Sequence, residues 1–338
     1  MKSIAYFQPG PPGVLELIER PVPAVEPGHV RVRLAVAGVN PTDVDARRRG
    51  SGTTANPQVP GQDGAGTVDA VGRDVQNVRP GDRVWVWDAA WNRAEGTTQE
   101  YVVLPERQVV SLPDNVSFDV GASLGIPALT AHRALTAFGS DPDELHPGAL
   151  SDRIVLVTGG AGEVGHAAIE LASWAGARVI STVSSQQKAE LATKAGADHV
   201  VNYRDTDVTS AIRTLAPRGV DIIVEVNAAE NLPTDIEVIA PGGGIAIYTG
   251  GTRSITQIPT RPAMTKNVQI AFILTYTTSG EQKNAAIRAV RAAVADHALR
   301  VGADAGLPLV RFPLAGLVAA HEAVERHVVG KVLVDIGG

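Results

Sequence analysis

The 338-residue chain contains no cysteine. Disulfides, thiolate nucleophiles and every cysteine-ligated zinc or iron–sulfur site are therefore excluded. Nowhere do about 18 apolar residues run unbroken, which is the length a membrane-spanning helix requires, so no membrane partner is expected. Basic residues are outnumbered, 30 Lys and Arg against 36 Asp and Glu, giving a net charge of -6. No broad basic surface can be assembled from that balance, which argues against nucleic acid as a partner. The one basic run, Arg47-Arg48-Arg49, reads as a solvated loop or helix end rather than a polyanion site. The opening MKSIAYFQPGPPG has no apolar core of a signal peptide, so the cytoplasm is the expected compartment.

What is present divides the chain in two. Length alone suggests two domains or one large one, at roughly 150 residues per domain. Up to about residue 125 the chain reads as short strands with Pro-Gly and Val-Gly punctuation at Pro27-Gly28, Pro60-Gly61, Val71-Gly72 and Pro80-Gly81. HVRVRLAV, from His29 to Val36, alternates polar and apolar residues as a half-buried strand does, and RVWVW repeats the pattern from Arg83 to Trp87. From about residue 151 uniformly apolar runs alternate with helical stretches. These runs are IVLV, ARVIST, HVVNY, VDIIVEV, GIAIY and VQIAFIL. Strands without alternation are buried on both faces, so a doubly wound parallel α/β sheet of about six strands is predicted. Helices over 281–298 and 315–328 and a closing strand, KVLVDI, complete the reading.

The first apolar run leads into VTGGAGEVG. The spacing Gly160-x-Gly162-x-x-Gly165, between a strand and a helix, is a dinucleotide-binding fingerprint. Backbone amides and the helix dipole there suit a pyrophosphate. Glu163 is an anion within this loop; in the first turn of a helix starting near Gly162 its side chain can point to solvent. The end of the second strand selects the cofactor. An NAD site has an acid about 20 residues past the first glycine. Here the sequence is Ser181-Thr182-Val183-Ser184-Ser185. Lys188 is either a solvated helix residue or a point charge for a 2′-phosphate. The missing acid tips the balance to NADPH, with Ser184, Ser185 and Lys188 as its contacts.

These residues resemble the zinc-independent quinone oxidoreductases of the medium-chain dehydrogenase/reductase superfamily. The likeness is carried by VTGGAGEVGHAAIELASWAGARVISTVSS, by VPGQDGAGTVDAVG, by GTTQEYVVLPERQVVSLPDNVSF, by PALTAHRAL and by the closing GKVLV. The resemblance implies a GroES-like, β-rich catalytic domain from residues 1–125 and 299–338, with a Rossmann domain inserted at 126–298 and the cofactor in the cleft between. It also implies cofactor contacts at Thr130, Gly160, Gly162, Val164, Gly165, Tyr203, Asn227, Gly250 and Lys331, and a homodimer paired through the VQIAFILTY strand. Zinc-dependent relatives carry a cysteine where this chain has Asn40, and a His-Glu pair where it has Gln62-Asp63. With no ligands for a Lewis acid, simple alcohol oxidation is disfavoured. His321-Glu322 with Glu325 mimics a metal helix but lacks the second histidine.

A quinone or an α,β-unsaturated carbonyl carries its own electron sink, so orientation and hydrogen bonds suffice. Asn40 faces the nicotinamide in the family and its amide can donate, or it stabilises its loop. Thr42 stands where metal-dependent relatives keep a relay hydroxyl, or caps the turn that follows. Asp45 replaces a pocket tyrosine, and Trp91 and Tyr276 are further candidates to line the substrate site. The expected activity is NADPH-dependent reduction of a quinone or enone. The alternatives are an enoyl-thioester or biosynthetic tailoring reductase on the same fold, or an NADPH-binding protein without turnover.

Overall fold

The computed structural model describes residues 1–50, 57–139, 143–249 and 255–337. By its internal contacts the chain divides into two units, Met1–Ile126 with Leu309–Gly338, and Pro127–Pro308. Residues 299–308, read from sequence as part of the GroES-like domain, fall in the second unit. Arg300 is held there by buried Glu170, at 2.9 Å from its backbone amide and 3.1 Å from its Nε.

In chain order, β1 (Lys2–Ala5) and β2 (Glu16–Glu19) make an antiparallel ribbon. They are followed by β3 (His29–Val39), α1 (Pro41–Arg49), β4 (Asp63–Val71), β5 (Arg83–Val86), β6 (Tyr101–Pro105), β7 (Val109–Ser111) and α2 (Phe118–Gly121). α3 (Gly125–Leu135) carries the chain into the second unit, which contains β8 (Ile154–Thr158), α4 (Glu163–Trp174), β9 (Arg178–Val183), α5 (Gln186–Ala195) and β10 (His199–Asn202). Next come α6 (Val208–Leu215), β11 (Val220–Glu225), α7 (Ala228–Val238), β12 (Ile239–Ile247), α8 (Thr260–Lys266), β13 (Gln269–Phe272) and α9 (Gly280–Ala295). β14 (Leu309–Pro313), α10 (Leu317–Glu325) and β15 (Lys331–Asp335) return to the first unit.

The first unit is organised by β3, whose eleven residues pair antiparallel with β4, β6 and β15. Its alternating side chains Val30, Val32 and Leu34 enter a core shared with Val102, Leu104, Val332 and Val334. The returning strand β15 thus joins this sheet by bonding to the strand that alternation picks out most clearly, with β14 paired outside it. β5 departs from its reading: Val84, Trp85 and Val86 are all buried, so it is covered on both faces. Gly121 at the end of α2 makes that cover possible, since a Cβ there would meet Trp85 Cβ and Ala65 Cβ.

The second unit is a six-stranded, wholly parallel sheet of order β10-β9-β8-β11-β12-β13. Strands such as Val155, Leu156 and Val157 are buried on both faces, as their unbroken apolar runs require. The chain starts at β8, builds outward through β9 and β10, then crosses to β11 on the other side of β8. That reversal between β8 and β11 is the topological switch point at which ligands of such sheets bind.

Candidate functional site

The glycine loop leaves β8 at the switch point. Gly159 takes the left-handed conformation, with φ 68°, so the tight turn falls one residue before Gly160, where the sequence reading put it. Gly160 and Gly165 are glycine for space. A Cβ on Gly160 would lie 2.0 Å from Ser181 Oγ, and one on Gly165 would lie 2.4 Å from the Gly159 carbonyl oxygen. Gly162 is the N-cap of α4 and offers no side chain to satisfy the first amides of that helix. Val164 and Glu163 lie half-buried in its first turn, where an acid suits the dipole.

Beside the loop, β9 ends at Val183 and Ser185 caps α5, its hydroxyl accepting from the Lys188 amide at 3.3 Å. Ser184 and Lys188 are half-buried. The Tyr203 amide donates to Val183 O at 3.0 Å, and its ring is exposed. Arg204, which the sequence reading did not single out, lies next to Tyr203. Its guanidinium stands 5.6 Å from the Tyr203 ring centroid, adding a second cation at this end of β9 and β10. Position alone, one residue after HVVNY, was the available signal.

On the other side of β8, Asn227 caps α7 and its buried Oδ1 has no hydrogen-bond partner. Its own amide donates to Glu225, and Asn231 Nδ2 donates to the same carboxylate at 2.9 Å. Thr158, at the foot of the glycine loop, receives the Val226 amide at 2.9 Å. Glu225 and neighbouring Asp235 are both raised above the usual carboxylate range, first by burial and, for Asp235, next by the charge of Glu225. Thr130 lies buried on α3, and Tyr276 is half-buried in the turn after β13. Gly250 lies outside the described residues. The cradle that a Cβ would fill, the uncapped helix amides and the orphaned Asn227 oxygen together fit a dinucleotide.

The first unit contains a second cluster, buried and charged. The register pairs Val332 of β15 with Val39 of β3, which sets Lys331 opposite Asn40. Lys331 Nζ donates to Asn40 Oδ1 at 2.7 Å, and Asn40 Nδ2 donates to Asp63 Oδ2 at 2.9 Å and to Asp43 Oδ2 at 3.4 Å. Asp43 also accepts from the Asn40 amide at 2.8 Å, fixing the first turn of α1. Asp63 accepts further from Ile126 N, at 2.9 and 3.1 Å. All four side-chain residues are closed to solvent. Gly38 makes the room: a Cβ there would lie 3.1 Å from Lys331 Cε and 2.2 Å from Ala122 O. Burial pushes the Asp63 carboxyl up to about 7, with Lys331 opposing and Asp43 reinforcing the rise.

Gln62 serves as a clip, its Oε1 accepting from Ala90 N at 3.1 Å. That bond, with Arg93 Nη2 on Asp88 O and Gln108 Oε1 at 2.8 Å each, ties down the loop carrying half-buried Trp91. Non-glycine residues Asp88 and Asn92 flank Trp91 at φ 49° and 54°, so the loop is held in a strained form. Thr42 is half-buried on α1, while Asp45 is exposed and pairs with Arg49 at 3.7 Å. The basic run is not uniformly solvated as its composition suggests. Arg47 is fully buried and its guanidinium pairs with Glu325 of α10. His321, on the same helix, is fully buried and held well below the usual histidine range, at about 3, by burial and by Arg47. Among the described residues no group of three or more His, Cys, Asp or Glu is placed to hold a metal.

Residues 26–114 match the alcohol dehydrogenase GroES-like domain model, and residues 164–292 match the model described as zinc-binding dehydrogenase. The chain is 30% identical to the quinone oxidoreductase of Sus scrofa over 98% of this chain and 97% of that protein. A crystal structure titled NAD-dependent alcohol dehydrogenase superposes with a TM-score of 0.85 at 30% identity, covering 100% of both chains. A mycobacterial protein solved in complex with NADPH gives 0.81 at 28% identity over 99% of each. Two domain models in the right order and a full-length relative at this identity place the chain in the quinone oxidoreductase family of the medium-chain dehydrogenases and reductases.

Proposed function

We propose that this chain is an NADPH-dependent oxidoreductase that reduces a quinone or an α,β-unsaturated carbonyl without zinc. The observation that carries the reading is the buried cluster at the position of the family's catalytic metal. Asn40, Gln62 and Asp63 are committed there to internal hydrogen bonds, and a chain with no cysteine has no thiolate to offer a metal. Bound NADPH supplies hydride for an acceptor that holds its own electron sink.

The protein's own residues bind, orient and polarise. Gly160, Gly162, Val164 and Gly165 would line the pyrophosphate with amides, Asn227 would take a donor on its orphaned oxygen, and Thr130 of the same unit is a further candidate contact; Lys331 is committed to Asn40. Ser184, Ser185, Lys188 and Tyr203, joined by Arg204, receive the 2′-phosphate. Of the two Asn40 Nδ2 protons, one is held by Asp63, and the 3.4 Å contact to Asp43 leaves the other weakly engaged. That second proton is the donor for the acceptor oxygen, with Thr42 beside it. Trp91 would supply an aromatic face for a planar acceptor, and Tyr276 of the second unit is a separate candidate. Asp45, exposed and ion-paired, borders the pocket.

Phe272 of β13 and Leu274 just beyond it are exposed, which supports a homodimer paired through this sheet edge. The cysteine-free composition suits a cytoplasmic location. NADPH oxidation against quinones, enones and enoyl thioesters tests the activity. Quinone or enone turnover supports the reading, preference for enoyl thioesters favours the reductase alternative, and no turnover with any of them overturns it.

A further inference from the structure

We propose that Asp63 is a positioning residue: with Lys331 it fixes which way the Asn40 amide faces, and it ties that amide to the first turn of α3. This inference rests on the reading of Asn40 as the donor to the acceptor.

An asparagine amide has one accepting and one donating end of nearly the same shape, so packing alone does not choose its orientation. Here charge chooses it. An ammonium can only face the oxygen and a carboxylate can only face the nitrogen, and Asn40 has one on each side, at 2.7 and 2.9 Å. With both ends held, the remaining Nδ2 proton has one direction left. Asp63 also receives the Ile126 amide on both oxygens, so it acts as the N-terminal cap that glycine, at the first position of α3, cannot supply. The space is tailored to this: a Cβ on Gly125 would lie 2.1 Å from Asp63 Oδ1. The groups facing Asp63 are Lys331 from β15, Asn40 and Asp43 from the start of α1, and the Ile126 amide from α3. Asp63 holds the nitrogen end only as a carboxylate, so the orientation depends on its ionised state, which its raised value of about 7 makes responsive near neutral pH.

Asp63→Asn keeps the shape and removes the charge, so Lys331 alone still orders the Asn40 amide and its Nδ2 end loses the carboxylate that holds it. The expected result is a fall in kcat of about tenfold or more, because a misdirected donor acts on the transition state. The dissociation constant for NADPH stays within about twofold, since ground-state binding is untouched. Asp63→Glu restores most of the lost kcat. Gly125→Ala, which displaces the carboxylate without removing it, reproduces the fall. A second readout needs no turnover: with selective 15N-asparagine labelling, the Asn40 side-chain amide resonances move as pH crosses 7 in the natural protein and stay fixed in Asp63→Asn. If a folded Asp63→Asn protein keeps kcat within about twofold and these resonances behave alike in both proteins, the positioning role is wrong. If the natural protein reduces no acceptor, the proposed function falls and the resonances alone decide the role of Asp63.

Discussion

Lys331 donates to Asn40 across the β15–β3 register, two residues 291 positions apart in sequence and both closed to solvent. The ammonium is the cation that opposes the rise of the Asp63 carboxyl, and burying a carboxylate without a counter-ion is costly. Lys331→Met therefore destabilises the protein by about 3–5 kcal/mol, measured by urea unfolding at neutral pH. A loss below about 1 kcal/mol, the range of surface pairs, would show that the ammonium is not holding the carboxyls.

Asp63 gives that cluster a pH dependence of defined sign. Its value rises from 3.8 to about 7 on folding, chiefly through burial, so between those limits the folded chain binds a proton that the unfolded chain has lost. The stabilising contribution is present below the unfolded value and disappears as pH rises through 7. Compared with Asp63→Asn, the natural protein is expected to lose stability between pH 4 and pH 7, and unfolding of both proteins at several pH values in that window checks it.

The glycine loop separates positions that need glycine from one that does not. Gly165→Ala sets a Cβ 2.4 Å from the Gly159 carbonyl oxygen, so α4 must move away from the loop. Gly162→Ala meets nothing closer than 3.3 Å. NADPH affinity, followed by fluorescence titration, falls by about tenfold or more for Gly165→Ala and by much less for Gly162→Ala. Glu163→Gly changes it only slightly, since Glu163 lies half-buried in the first helical turn; a large gain would show its charge facing the pyrophosphate.

Cofactor choice rests on the end of β9. Lys188→Ala and Arg204→Ala each lower the NADPH-over-NADH preference several-fold, by about 1 kcal/mol per lost charge contact. Equal loss of NADH binding would place these cations away from the 2′-phosphate.

The glycine loop and the six parallel strands were legible because their signals are local. An unbroken apolar run between helices reads as a strand buried on both faces; β8, β9, β11 and β12 are largely buried so, while the edge strands β10 and β13 are partly exposed because each has a neighbour on one side only. The polar cluster was only half legible. Asn40 was singled out from a resemblance, but Asp63 and Lys331 meet it through strand register, which no short stretch encodes. Arg47 was misjudged for the same reason. A basic run looks solvated until α10 returns from the far end of the chain to bury its first member against Glu325. β5 lost its alternation because α2 covers the face that composition assigned to solvent.

The central claim is hydride transfer from NADPH without a metal. Its most direct measurement is the rate of NADPH oxidation by a quinone after exhaustive dialysis against a chelator, with zinc then added back and NADH run in parallel. Turnover is expected to be unchanged by chelation, unimproved by zinc and faster with NADPH. Activity that vanishes on chelation and returns with zinc would contradict it.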